Sequence, residues 1–102
     1  MATLYITEYA TVATLPNATG QVPLEPPLAE QTVAIGGSST PSNAFNASTK
    51  LVRLHCDTIC SIEFGTAPTA TTGNARMAAN QTEYHGVPQG GVPLKVAVIS
   101  NT

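Results

Sequence analysis

The chain has 102 residues, a formal net charge of −2, two cysteines and only 10% charged residues. Those numbers bound it to one domain, residues 1–102, and rule against a disulfide scaffold of the secreted kind. Lys50, Arg53, Arg76 and Lys95 stand singly, so nothing resembles the basic cluster that phosphate binding needs, and no nucleic acid is expected as a ligand.

No apolar run approaches the ~20 residues of a spanning helix, so no membrane is expected as a partner either. Residues 1–14 lack the basic start, apolar middle and cleavage site of a signal peptide, which predicts cytosolic synthesis and reduced thiols. Asn17, Asn46 and Asn80 each open an Asn-X-Ser/Thr sequon, read here as chance in a chain rich in Asn, Ser and Thr. A domain of this length buries roughly 60–65% of its unfolded surface and usually needs a supplement. With few cysteines and little charge, the supplement left is contact with other subunits, and a homo-oligomer is expected.

Hydrophobic residues recur with period two, not 3.6, which predicts an all-β chain. Residues 4–9 are aromatic and β-branched and predict an opening strand or an extended N-terminal arm. Leu15-Pro16-Asn17 is punctuation, and residues 21–28, with Pro23, Pro26 and Pro27, predict an extended loop of polyproline character. A short strand over 32–35 ends at Gly36-Gly37. Residues 51–64 carry the clearest pattern: Val52, Leu54, Cys56, Cys60, Ile62 and Phe64 on the core face, Arg53, His55, Asp57, Ser61 and Glu63 on the other. This predicts a hairpin of 49–56 with 59–64, turning at Asp57-Thr58, with a single bent strand as the alternative.

Strands over 74–79 and 83–87 flank a turn at Asn80-Gln81. Pro88-Gln89-Gly90-Gly91 punctuates, and a strand over 94–99 closes the chain with Leu94, Val96 and Val98 inward and Lys95 outward. No segment supports a helix of useful length. Some seven to eight short strands with this spacing predict a β-sandwich or jelly roll.

Chemistry-bearing residues are sparse. His55, Cys56, Cys60 and His85 could together ligate zinc, but the four-residue spacing of the cysteines is wrong for a knuckle, and neighbours on a strand point to opposite faces. Two buried thiols are the favoured reading, with a Cys56–Cys60 disulfide and a metal as the alternatives. Gly36-Gly37-Ser38-Ser39 has no strand-to-helix context for a nucleophile elbow and reads as a loop. Glu25 with Glu30, and Asp57 with Glu63, lack the cleft that paired carboxylates require. No enzyme and no cofactor are therefore expected. Tyr5, Tyr9, Phe45 and Tyr84 divide between core and interface roles. The contact residues predicted for partner subunits are Leu4, Tyr5, Ile6 and Tyr9 on the N-terminal segment, with Val22, Leu24, Pro26 and Pro27 on the proline loop.

The C-terminal half runs through Leu51-Val52-Arg53-Leu54, Phe64-Gly65-Thr66-Ala67-Pro68-Thr69-Ala70 and Arg76-Met77-Ala78-Ala79-Asn80. It continues through Glu83-Tyr84-His85-Gly86-Val87 to Leu94-Lys95-Val96-Ala97-Val98-Ile99. This cadence resembles small virion-associated proteins of tailed bacteriophages, over roughly the last half of the chain. The resemblance implies a capsid decoration (cement) protein or another small head or neck component, made in the bacterial host cytoplasm and located on the virion. Its implied partners are the major capsid protein or other virion proteins. The rival expectation is a small ligand- or carbohydrate-binding β-sandwich, such as a fibre or neck module; the absence of Trp counts against it.

Overall fold

A computed structural model describes residues 2–15, 18–23, 25–88 and 93–101, with the side chains of residues 12–23 outside the description. Among these residues ten strands are present: β1 Thr3–Tyr9, β2 Val12–Leu15, β3 Ala18–Pro23, β4 Ala29–Ala34, β5 Thr40–Pro41, β6 Leu51–Cys56, β7 Cys60–Gly65, β8 Ala75–Met77, β9 Thr82–Gly86 and β10 Lys95–Ser100. Eight of them build two four-stranded sheets, ordered β4-β1-β6-β9 and β5-β10-β7-β8, while β2 and β3 pair apart from both. All pairings are antiparallel. The sheets pack face to face, and the architecture is the small all-β sandwich that period-two patterning predicts.

The core forms where the inward faces meet. Leu4 and Ile6 of β1, Val33 of β4, Val52, Leu54 and Cys56 of β6 line one side. Cys60 and Ile62 of β7, Met77 of β8, Val96 and Val98 of β10 line the other, with Phe45 inserted from the β5–β6 connection. Alternation is cleanest on β6, where burial switches at every residue.

Several expectations require correction. Of the two readings of residues 4–9, the opening strand is present and the extended arm is not: β1 lies in the interior of its sheet, bonded to β4 on one edge and β6 on the other. The predicted hairpin of 49–56 and 59–64 is an arch. β6 belongs to the first sheet and β7 to the second, so residues 57–59 carry the chain across the sandwich. A two-residue turn would also have paired Cys56 with Ile59 and turned Cys60 and Ile62 outward; the three-residue crossing keeps both facing the core. Its backbone is anchored on both sides, with Asp57 N–H donating to Thr3 O (3.3 Å) and Asn101 N–H to Ile59 O (3.1 Å).

The turn at Asn80 is present, with Asn80 at φ 60°, in the left-handed region that Asn tolerates better than most residues. It too joins strands of different sheets, β8 and β9. Ser61, predicted outward, is buried, and its hydroxyl accepts a hydrogen bond from Asn101 Nδ2 at 2.8 Å.

The β2–β3 pair forms where the sequence carries no strand signal, since residues 12–23 lack apolar alternation. Leu15-Pro16-Asn17 and Pro88 to Gly91 fall partly outside the described residues. The proline loop is less arm-like than predicted, since residues 21–23 belong to β3 and Leu28 N–H donates to Glu8 O of β1 at 2.7 Å.

Candidate functional site on the outer face of the first sheet

Antiparallel register places side chains of neighbouring strands in rows. On the solvent side of the first sheet one row runs Thr32, Tyr5, His55, Thr82, and the next runs Glu30, Thr7, Arg53, Tyr84. Tyr5 is 45% exposed and Tyr84 51%. They sit two strands apart with Arg53 and His55 between them, about 10 Å across the sheet at the usual strand spacing.

The rows are held by local contacts. The Tyr5 and His55 rings lie 6.3 Å apart at 47°, and His55 Nδ1 is 2.8 Å from Thr82 Oγ1. Tyr9 continues the same face under the proline loop and is buried there. Its hydroxyl donates to Glu25 Oε2 at 2.9 Å. Burial first, then the Glu25 hydrogen bond and charge, raises the Tyr9 hydroxyl above its ordinary range.

Of the predicted contact residues, then, only some face outward. Tyr5 does, and Pro26 is exposed with Pro27 half-buried. Leu4 and Ile6 are buried because β1 is an interior strand whose even residues meet the second sheet, while Tyr9, on the opposite face, is buried with its hydroxyl on Glu25 of the proline loop. Val22 lies in β3 with its side chain outside the described residues, and Leu24 is outside them altogether. Sequence reasoning missed Arg53 and His55 as members of a surface cluster. Their odd positions on β6 signalled exposure, but the proximity to Tyr5 and Tyr84 comes from register.

The other chemistry-bearing residues are dispersed. His55 and Cys56 project from opposite faces of β6, so the four proposed zinc ligands do not converge. No group of three or more His, Cys, Asp or Glu suited to a metal occurs among the described residues. Cys56 and Cys60 are free and buried; the Cys56 thiol donates to Ala78 O at 3.1 Å. The Cys60 thiol is pushed up to about 12 by burial foremost and by the neighbouring Cys56, which keeps it a thiol and a poor nucleophile.

Ser39 Oγ accepts from Ala70 N–H at 2.8 Å, which ties the glycine–serine loop to the 66–74 connection. The carboxylates are likewise occupied structurally: Asp57 Oδ1 accepts from Thr3 N–H and Glu63 Oε2 from Asn74 Nδ2.

Between the sheets, at one margin, a cavity of about 340 Å³ is bounded by Phe64, His85, Val87, Pro88 and Leu94 with two glycines. The Phe64 and His85 rings are 5.1 Å apart, and the His85 imidazole Nε2 lies 3.1 Å from Glu83 Oε1.

Among the described residues no helix is long and apolar enough to cross a membrane. Comparison with protein-family models, curated proteins and solved structures finds no match to this chain.

Proposed function

We propose that this protein is a non-catalytic virion component, a capsid decoration protein that docks on the major capsid protein through the outer face of its first sheet. The observation that carries the docking surface is the pair of half-exposed tyrosines flanking Arg53 and His55 on a four-stranded sheet. Tyr and Arg are enriched at protein interfaces: Tyr brings large contact area with only two χ angles to order, and Arg a planar fork of hydrogen-bond donors. A sheet platform holds them at fixed spacing, so little ordering cost remains at binding. The virion itself comes from the resemblance of the C-terminal half to small phage structural proteins.

Particles of a tailed phage that encodes the chain provide the test. Heads assembled without the protein are mixed with the full chain or with the Tyr5→Ser/Tyr84→Ser double variant, then sedimented. The wild type should co-sediment at a copy number comparable with that of the major capsid protein. The double variant, folded by circular dichroism, should stay in the supernatant. Equal co-sedimentation of the two defeats the proposed surface, and wild type left in the supernatant defeats the decoration role.

A second reading, a small ligand-binding module of a fibre or neck, is favoured by the cavity beside Phe64 and His85. Its size is at the lower end for small-molecule sites. Under that reading the chain is found at the fibre or neck and is absent from the shell.

A further inference from the structure

A sandwich of this kind has four edge strands, each offering unpaired backbone groups to any extended chain that approaches. Three are blunted. β5 is two residues long and contains Pro41. β8 is three residues long and carries Arg76. β4 is flanked by the segment at Asn43, whose N–H donates to Gln31 Oε1 and whose carbonyl accepts from Gln31 Nε2. The fourth, β9, has five residues, Thr82-Glu83-Tyr84-His85-Gly86, with no Pro, Lys or Arg.

The ladder shows which groups are open. Val87 N–H donates to Lys50 O and Cys56 N–H to Gln81 O, with Leu54 opposite Glu83 and Val52 opposite His85 between those ends. Odd residues therefore bond to β6, and by alternation the N–H and C=O of Thr82, Tyr84 and Gly86 point away from the sheet. Among the described residues no hydrogen bond reaches them.

We infer that β9 pairs with β9 of a second copy of this chain, antiparallel about a two-fold axis at Tyr84, joining two four-stranded sheets into one of eight. The sequence is complementary to itself in that register. Tyr84 meets Tyr84 of the copy on the outer face, where aromatic pairs across strands are favourable. Glu83 meets His85 of the copy on the inner face, and His85 meets its Glu83, so two acid–imidazole pairs form by symmetry. Thr82 meets Gly86 at both ends. Tyr84 with Tyr84, and Thr82 with Gly86, are the hydrogen-bonded pairs of such a ladder, and their outward groups are the ones left open. A two-fold contact of this type closes at the dimer. It adds strand pairing to the side-chain contacts, as in other cases of β-augmentation. The inference concerns the isolated chain and stands apart from the virion reading.

The test is sedimentation velocity of the full chain between about 10 μM and about 1 mM, a range suited to an interface of less than standard size. The wild type should pass from monomer to dimer. His85→Glu places four carboxylates together and should weaken association by about tenfold or more. The swapped pair Glu83→Lys/His85→Glu restores opposite charges and should recover it. Tyr84→Pro removes an outward N–H without touching the bond to β6, and should leave a folded monomer.

Hydrogen exchange on the unmodified chain gives a readout independent of variants. The amides of Thr82, Tyr84 and Gly86 should exchange more slowly as concentration rises, while exposed loop amides stay constant. A chain that remains monomeric throughout overturns the inference, as does a dimer that forms equally well in all three variants or leaves those amides unprotected.

Discussion

Glu8 is a buried carboxylate whose removal has a countable consequence. It sits on the inward face of β1, in phase with Leu4 and Ile6, and is only 2% accessible. Its Oε1 accepts from Asn46 N–H at 2.7 Å and from Thr49 Oγ–H at 2.8 Å; Oε2 takes a longer bond from Gln31 Nε2 at 3.4 Å. The carboxylate thereby holds the connection between β5 and β6, which inserts Phe45 into the core.

Glu8→Ala removes the acceptor shared by the Asn46 amide and the buried Thr49 hydroxyl, and losing a charged acceptor of this kind costs about 1–3 kcal/mol per bond. Some relaxation toward water is available at Asn46, so the sum expected is about 2–5 kcal/mol, a large share of the ~5–15 kcal/mol that a domain has. Glu8→Gln retains one acceptor oxygen and should cost about half as much. Urea unfolding followed by far-ultraviolet circular dichroism, with linear extrapolation, measures both. A Glu8→Ala variant within about 1 kcal/mol of wild type, at unchanged slope, refutes the reasoning and shows that the connection is held by packing alone.

The alternation on β6 and β7 is tested by Leu54→Ala and Ile62→Ala, each expected to cost about 2–5 kcal/mol, against under about 1 kcal/mol for Arg53→Ala on the outer face; the reverse order in the same urea series would invert the strand faces. Alkaline stability follows from the raised Cys60 and Tyr9 groups. Below the ordinary thiol value of 9.0 both folded and unfolded chains keep the Cys60 proton and nothing is lost. From there toward about 12 only the unfolded chain sheds it, so stability falls by about 1.4 kcal/mol for each pH unit. Tyr9 adds to the loss above its ordinary value of 10.0. Unfolding midpoints at neutral and alkaline pH should show this decline, with a shallower one in Cys60→Ala; equal declines in the two chains would remove Cys60 as the cause.

The amino-acid sequence by itself determined that strands form and which of their residues turn inward. Val52, Leu54, Cys56, Cys60, Ile62, Val96 and Val98 were legible as core because side chains alternate with period two whatever the strand's neighbours are. It did not determine the neighbours. A three-residue hairpin and an arch both leave Cys56 and Cys60 facing the core, so the pattern on residues 51–64 is compatible with one sheet or two. The choice of two depends on bonds from residues 57–59 to Thr3 and Asn101, more than forty positions away along the chain.

The same limit explains the N-terminal strand. Its composition marked it as a strand that needs a partner, and only the tertiary structure decided that β4 and β6 of the same chain are those partners. Glu8 and Ser61 follow suit, since a polar residue is stable inside only when a distant group completes its hydrogen bonds. The surface cluster of Tyr5, Arg53, His55 and Tyr84 likewise exists through register between β1, β6 and β9, a relation that no local stretch of sequence contains.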